Sequence, residues 1–467
     1  MMAAVLAFTL SQQPAPARPD STRGRPCKVV IDSVGRQAQQ VEVRRGETNV
    51  FAGGGVLAHC DGTGSTLAAD SVAWFAGVGR FDMIGQKNLV HIRDTVMTLD
   101  ATTAAYFLRQ ERLDAHKDVV AHNRTTGSVL RGPNLTYYRA AAGIRDTLEM
   151  YASSRPTIEY HATVDSGEPY IIVADRVRFK GNDRMWGGGR VTIDRSDFAA
   201  RGDSMQLDQA AGFGLLLGSP RVEGKGSQSY TLTGTRIELG LQGQNIKLVK
   251  ALGDGVGTGA DWRLTADTIH LHIDRKKLQQ ALAWGPKDSV HARAVSTRTT
   301  IRGDSLALDA PDQVLREVRA FRHARSTSQR DSTVKRDTTR VKRDTTAGRD
   351  STMGRCRDGG DNTDWITGDS ITARWKQLPD SAGQQRTRLR QLLARGSARA
   401  FTHLQEKRDS TGAGPSLNYS RGDVIDILLA GDRIDTVRVV GRADGVHLEC
   451  KPPAPPADTT KKKVSGQ

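Results

Sequence analysis

Aromatic residues make up only 5% of this 467-residue chain, too few for a dense enzyme core built on large rings. No apolar run approaches the roughly 18 residues that a membrane-crossing helix needs, which excludes an integral helical membrane protein. Proline is scarce, 16 residues against 48 glycines, a balance that fits many turns. Cysteine is scarce too. Cys27, Cys60, Cys356 and Cys450 lie far apart with no C-x-x-C pair, which excludes the common zinc-ribbon pattern. Three disulfide pairings stay open, as do free thiols.

What the chain has in excess is positive charge, a formal +16. Its location decides its meaning. Residues 1–28 carry a net +3, residues 322–360 hold eleven Lys or Arg against five Asp, and the tail from 451 holds four Lys against Asp458. These segments account for twelve of the sixteen charges, so the rest of the chain is nearly balanced. A folded surface specific for nucleic acid is therefore not expected.

Met1–Leu10 is apolar and leads to Ala15-Arg18, where Ala15-x-Ala17 has the small-x-small form of a signal-peptidase site. The expected n-terminal Lys or Arg is missing. Residues 1–17 read as a weak export signal, with an ordinary frayed N-terminus as the alternative, and 18–28 as a basic linker. Cys27 follows Arg25-Pro26 and lacks the neighbours of a lipoprotein cleavage site.

Between 29 and 321 one phrase recurs: a small residue, then usually Asp or Thr, then alternating apolar positions. Examples are Ala69-Asp70-Ser71-Val72-Ala73-Trp74, Ala174-Asp175-Arg176-Val177-Arg178-Phe179, Gly202-Asp203-Ser204-Met205-Gln206-Leu207 and Ala266-Asp267-Thr268-Ile269-His270-Leu271. Its second residue falls at 70, 102, 133, 175, 203, 235, 267 and 304, with four of the seven steps equal to 31 or 32. A second run lies between copies, as in Asn88–Ile92, Asp118–His122 and Gly189–Ile193. Apolar residues at i and i+2 predict half-buried antiparallel strands, and the long period predicts stacked equivalent layers. The Gly-Asp pairs read as turn residues entering each strand rather than as catalytic aspartates.

From 322 to 360 the pattern gives way to a polar tetrapeptide, Arg330-Asp331-Ser332-Thr333 and three variants of it, read as a disordered insertion. The strand phrase resumes at Ile366–Ala373 and runs to 450; a Pro/Lys tail, 451–467, reads as disordered. Leu389, Leu392 and Leu393 suggest a short helix over Gln384–Ala394, followed by a strand from Gly396.

The order of these phrases resembles the OstA-like family, which includes the periplasmic lipopolysaccharide-transport bridge and the N-terminal domain of the outer-membrane assembly protein. Leu67–Tyr138 and Leu392–Leu448 carry the likeness best, with Leu417-Asn418-Tyr419-Ser420-Arg421-Gly422-Asp423 and Val439-Val440-Gly441-Arg442-Ala443-Asp444-Gly445-Val446 as its units. The resemblance implies an all-β fold of repeated antiparallel strands in an open, extended β-jelly roll, spanning 29–321 and 361–450. It also implies a non-enzymatic role in the periplasm, at or near the outer membrane. Lipopolysaccharide or a similar amphiphile would be the ligand, and other transport proteins or further copies would join by edge strands. Inward apolar residues that would meet lipid are Val177, Phe179, Ile237, Leu239, Ile269 and Leu271. The chain departs from the family in its length, in the insertion, and in lacking the aromatic-rich amphipathic strands of an outer-membrane barrel. A structural or adhesive β-repeat protein of the envelope is the alternative.

Other chemistry finds little footing. His270 and His272 share a strand face, but no cysteine lies near, and a solvated pair is the expectation. Gly253–Gly259 has alternating glycines without a following Lys-Ser/Thr and reads as a loop; Gly53–Gly55 and Gly187–Gly189 read as turns. No catalytic group, metal or cofactor is expected.

Overall fold

In the computed structural model the described residues are 27–449 apart from 62, 163–166, 227–228, 286–291, 297, 330–362, 380–384, 405–415 and 431–432. The signal-peptide segment, most of the basic linker, the tetrapeptide repeats, the Pro/Lys tail, Cys356 and Cys450 lie outside them. The described residues form antiparallel strands with two single-turn 3₁₀ segments and no α-helix. The chain divides into two compact units, residues 1–189 and 190–467.

Each unit is a jelly-roll-like stack of rungs. A rung is one long strand, or two short ones in line, that crosses from one layer to a second layer through a corner. In the first unit the strand Glu47–Asp61 pairs on one side with Gln37–Arg44 over its first half and with Lys28–Val34 over its second. On its other side it pairs with Ser65–Phe75, and the register breaks between Gly53 and Val56. Such a bulge bends a strand sharply enough to change sheets. The same break recurs at Gly132 in Val129–Tyr138, and in the second unit at Leu252/Gly255, Phe321/Ala324 and Arg395/Ala398.

In half of its copies the recurring phrase therefore has a different place from the one expected. Asp70 lies inside the strand Ser65–Phe75, Asp203 inside Phe198–Asp208 and Asp267 inside Arg263–Asp274. These three stand at corners within a strand, whereas Thr102, Asp175, Thr235 and Asp304 lie, as expected, in the break just before a strand. The phrase marks the chain leaving a corner into one layer, and the second run, such as Asp118–His122, marks it leaving into the other. One period of about 31 residues is thus two rungs, one outward and one returning.

Three further expectations are corrected. Gln385–Leu404 is one strand, with Leu392 opposite Ala373 and Ile427, so paired neighbours on both sides override the local helical spacing. Residues 322–329 belong to the strand Glu317–Gln329, so the repeat runs eight residues into the segment read as insertion. Gly253–Thr258 completes the strand Asn245–Thr258, with its glycines at and after the corner, where close approach leaves no room for side chains.

Candidate functional site: the apolar interior and its mouth

Period-two alternation puts one side chain in two on the inner face of each layer, and register lines these up across strands. In the first unit one layer presents Met83, Ala104, Ala115, Leu135, Ala152 and Val177 on successive strands, all buried. The other presents Leu67, Ile92, Leu99, Ala121, Leu130, Ile158 and Ile172. The second unit has a stricter ladder: Ile237, Ala251, Ile269, Ala283, Leu306, Ala320, Ile371, Ala394 and Ile425. Large and small residues alternate along it, which lets the branched side chains interdigitate and fills the interior without aromatic rings.

The six residues expected to meet lipid take these positions. Ile237 and Ile269 flank Ala251, while Leu239 and Leu271 flank Val249, forming two parallel rows on one inner face. All four are at most 6% exposed. In the first unit Val177 is 3% exposed, between Ala152 and Gly187. Phe179 is half-buried and lines a cavity of about 40 Å³ together with Met97, Leu130, Tyr137, Met150 and Ile158. That space holds about one water molecule, not an acyl chain. The inward direction was read correctly, and protein side chains occupy the interior.

Opposite the corners lies the mouth, where the layer margins meet through polar groups that sequence reasoning missed. In the first unit Glu111, fully buried in a turn at one margin, accepts the Cys27 amide from the other margin at 2.7 Å. The Tyr106 hydroxyl also donates to Glu111, and the Arg139 guanidinium stands 3.6 Å from its carboxylate. Cys27 is itself tied to Cys60 by a disulfide across 33 residues. Burial, then the Glu111 carboxylate, pushes Tyr106 well above the usual phenol range; burial, then the charge of Asp94, does the same to Tyr137. In the second unit Arg195, 7% exposed, holds Asp197 on its own margin and donates to the Gln244 carbonyl of the other at 3.3 Å. A single Glu or Arg in a turn carries no sequence signal for such a contact.

His270 and His272 lie on the outward face of their strand. The His270 ring packs edge-on against Trp284 at 4.7 Å, and burial, then Lys250, lowers its basicity. Among the described residues no group of three or more His, Cys, Asp or Glu is placed to hold a metal. Comparison with family models and with curated proteins gave no match, so the fold and the geometry of the interior alone bear on the role.

Proposed function

We propose that this chain is a non-enzymatic lipid-binding component that carries lipopolysaccharide or a similar lipid across the periplasm toward the outer membrane. One observation carries the reading: in each unit two apolar faces confront each other, tied by continuous backbone at the corners and by a few polar contacts at the mouth. Parting the mouth exchanges side-chain contacts for contacts with acyl chains. Each methylene withdrawn from water is worth about 0.8 kcal/mol, so several chains offset the loss of a few hydrogen bonds. The strands Gln37–Arg44 and Arg433–Val440, the first exposed throughout and the second partly so, are suited to pairing with partner proteins or further copies.

A structural or adhesive role in the envelope is the second reading, and the filled interior favours it. The two differ in what the purified protein holds. Solvent extraction of protein purified from an envelope fraction, with mass spectrometry of the extract, is expected to release lipid in near-stoichiometric amount. A lipid-free protein that also fails to bind added lipopolysaccharide would favour the structural reading.

A further inference from the structure

The second unit carries a basic crevice on its outer surface, away from the apolar interior. Its volume is about 610 Å³, within the range of small-molecule sites, and Arg302, Arg322, His323, Arg325, Arg399 and Asp369 contribute the charged groups of its wall. The local fold puts them there. Arg302 lies directly opposite Arg325, and Arg325 and Arg399 stand on either side of Thr367. Their neighbours Ile301, Ala324, Ala398 and Ala400 point inward and are buried, so alternation turns the arginines outward. Arg322 and His323 take left-handed conformations at the corner of their strand, with φ of 57° and 45°, and bring two more basic groups to the same place.

Like charges directly across a strand pair repel and weaken the sheet. Counter-charges are few. Asp304 accepts from His323 at 3.2 Å, and Asp369 stands on the rim. Arg302, Arg322, Arg325 and Arg399 make no ion pair with any described residue, whereas Arg421, next in the row beyond Arg399, is held by Asp444 at 2.6 Å. Arg325 lies over the Trp365 ring, which fixes its plane, and its Nε is buried with no hydrogen-bond partner. Three interstrand steps separate Arg302 from Arg399, about 14 Å at the usual strand spacing.

We propose that this crevice binds a multiply phosphorylated ligand whose charges spread over about that distance. Guanidinium forks match phosphate oxygens in geometry and stay charged at all relevant pH. The site is independent of the lipid reading, because the arginines that would hold the ligand take no part in the apolar interior.

The test is calorimetric titration of the full chain with inorganic tripolyphosphate at physiological salt, paired with sedimentation on vesicles containing phosphatidic acid. The double variant R302Q/R399Q removes two charges from the crevice; R275Q/K276Q removes two from an exposed turn of the same unit. Loss of a pair of charge-assisted hydrogen bonds is expected to weaken binding at least about tenfold in the first variant, and less than about twofold in the second. Tripolyphosphate binding with that pattern identifies a soluble ligand, and vesicle binding with it identifies a head group. Equal losses in the two variants, or binding of neither probe, would overturn the proposal.

Discussion

The amide of Asp203 donates to the carbonyl of Gly218 at 3.2 Å, and the Asp203 side chain covers the place where a Gly218 side chain would project. Gly218 has φ of +74°, a conformation that L side chains rarely adopt. The same pairing joins Asp175 to Gly189 at 2.9 Å and Asp423 to Gly441 at 2.8 Å. A corner acid on one rung thus fits over a left-handed glycine on the next, and the fit repeats with the rungs. Gly218→Ala is expected to destabilise the second unit by about 1–2 kcal/mol from backbone conformation alone, with more from the collision. Urea denaturation should show an earlier midpoint, and Ser204→Ala, one residue from the corner acid, should leave it nearly unchanged.

This pairing also shows what the sequence could and could not reveal. The period near 31, the antiparallel all-β class and the inward direction of Ile237, Leu239, Ile269 and Leu271 were legible, because alternation reports burial directly. The place of the phrase was legible where it precedes a strand, as at Asp175 and Asp304, but not where it lies inside one, as at Asp70, Asp203 and Asp267. A bulged corner inside a strand uses the same left-handed conformations as a turn between strands, so the same residue types mark both. The mouth was invisible for another reason: Cys27 meets Glu111 across 84 residues, and only the folded stack brings them together.

Removing the Glu111 carboxylate should open the mouth of the first unit. It is the fully buried acceptor for the Cys27 amide and the Tyr106 hydroxyl, and it faces Arg139. Breaking a buried charged pair from one side costs about 3–5 kcal/mol. Glu111→Ala is expected to speed amide hydrogen exchange in Lys28–Val34 and in the turn around Glu111, while exchange in the second unit stays unchanged.

The Cys27–Cys60 bridge closes a loop of 33 residues and anchors the first strand to the margin that Glu111 contacts. A chain-entropy estimate for a loop of that length gives about 3–4 kcal/mol. Cys27→Ser/Cys60→Ser is expected to lower the thermal midpoint of the first unit and to raise proteolysis near Lys28. Equal stability with and without reductant would contradict a bridging role.

Alkaline pH should destabilise the fold through its buried phenols. Burial raises Tyr106, Tyr137 and Tyr230 well above the ordinary phenol value of 10.0, and raises Tyr160 to about 12. The folded chain then keeps protons that the unfolded chain releases. The stabilisation is complete below pH 10.0 and is lost as pH rises through the folded values. Tyrosinate absorbance is expected to show a fraction of the eight tyrosines titrating normally and the rest only with unfolding.

The question of whether the interior receives lipid is answered most directly by photo-crosslinking in cells. A photoreactive residue would replace Ile237 or Ile269, which face inward, and separately Glu238 or His270, their outward neighbours on the same strands. Lipid adducts are expected at the two inward positions and not at the two outward ones. Crosslinks from Ile237 and Ile269 to protein alone, with no lipid at any of the four, would contradict the carrier function.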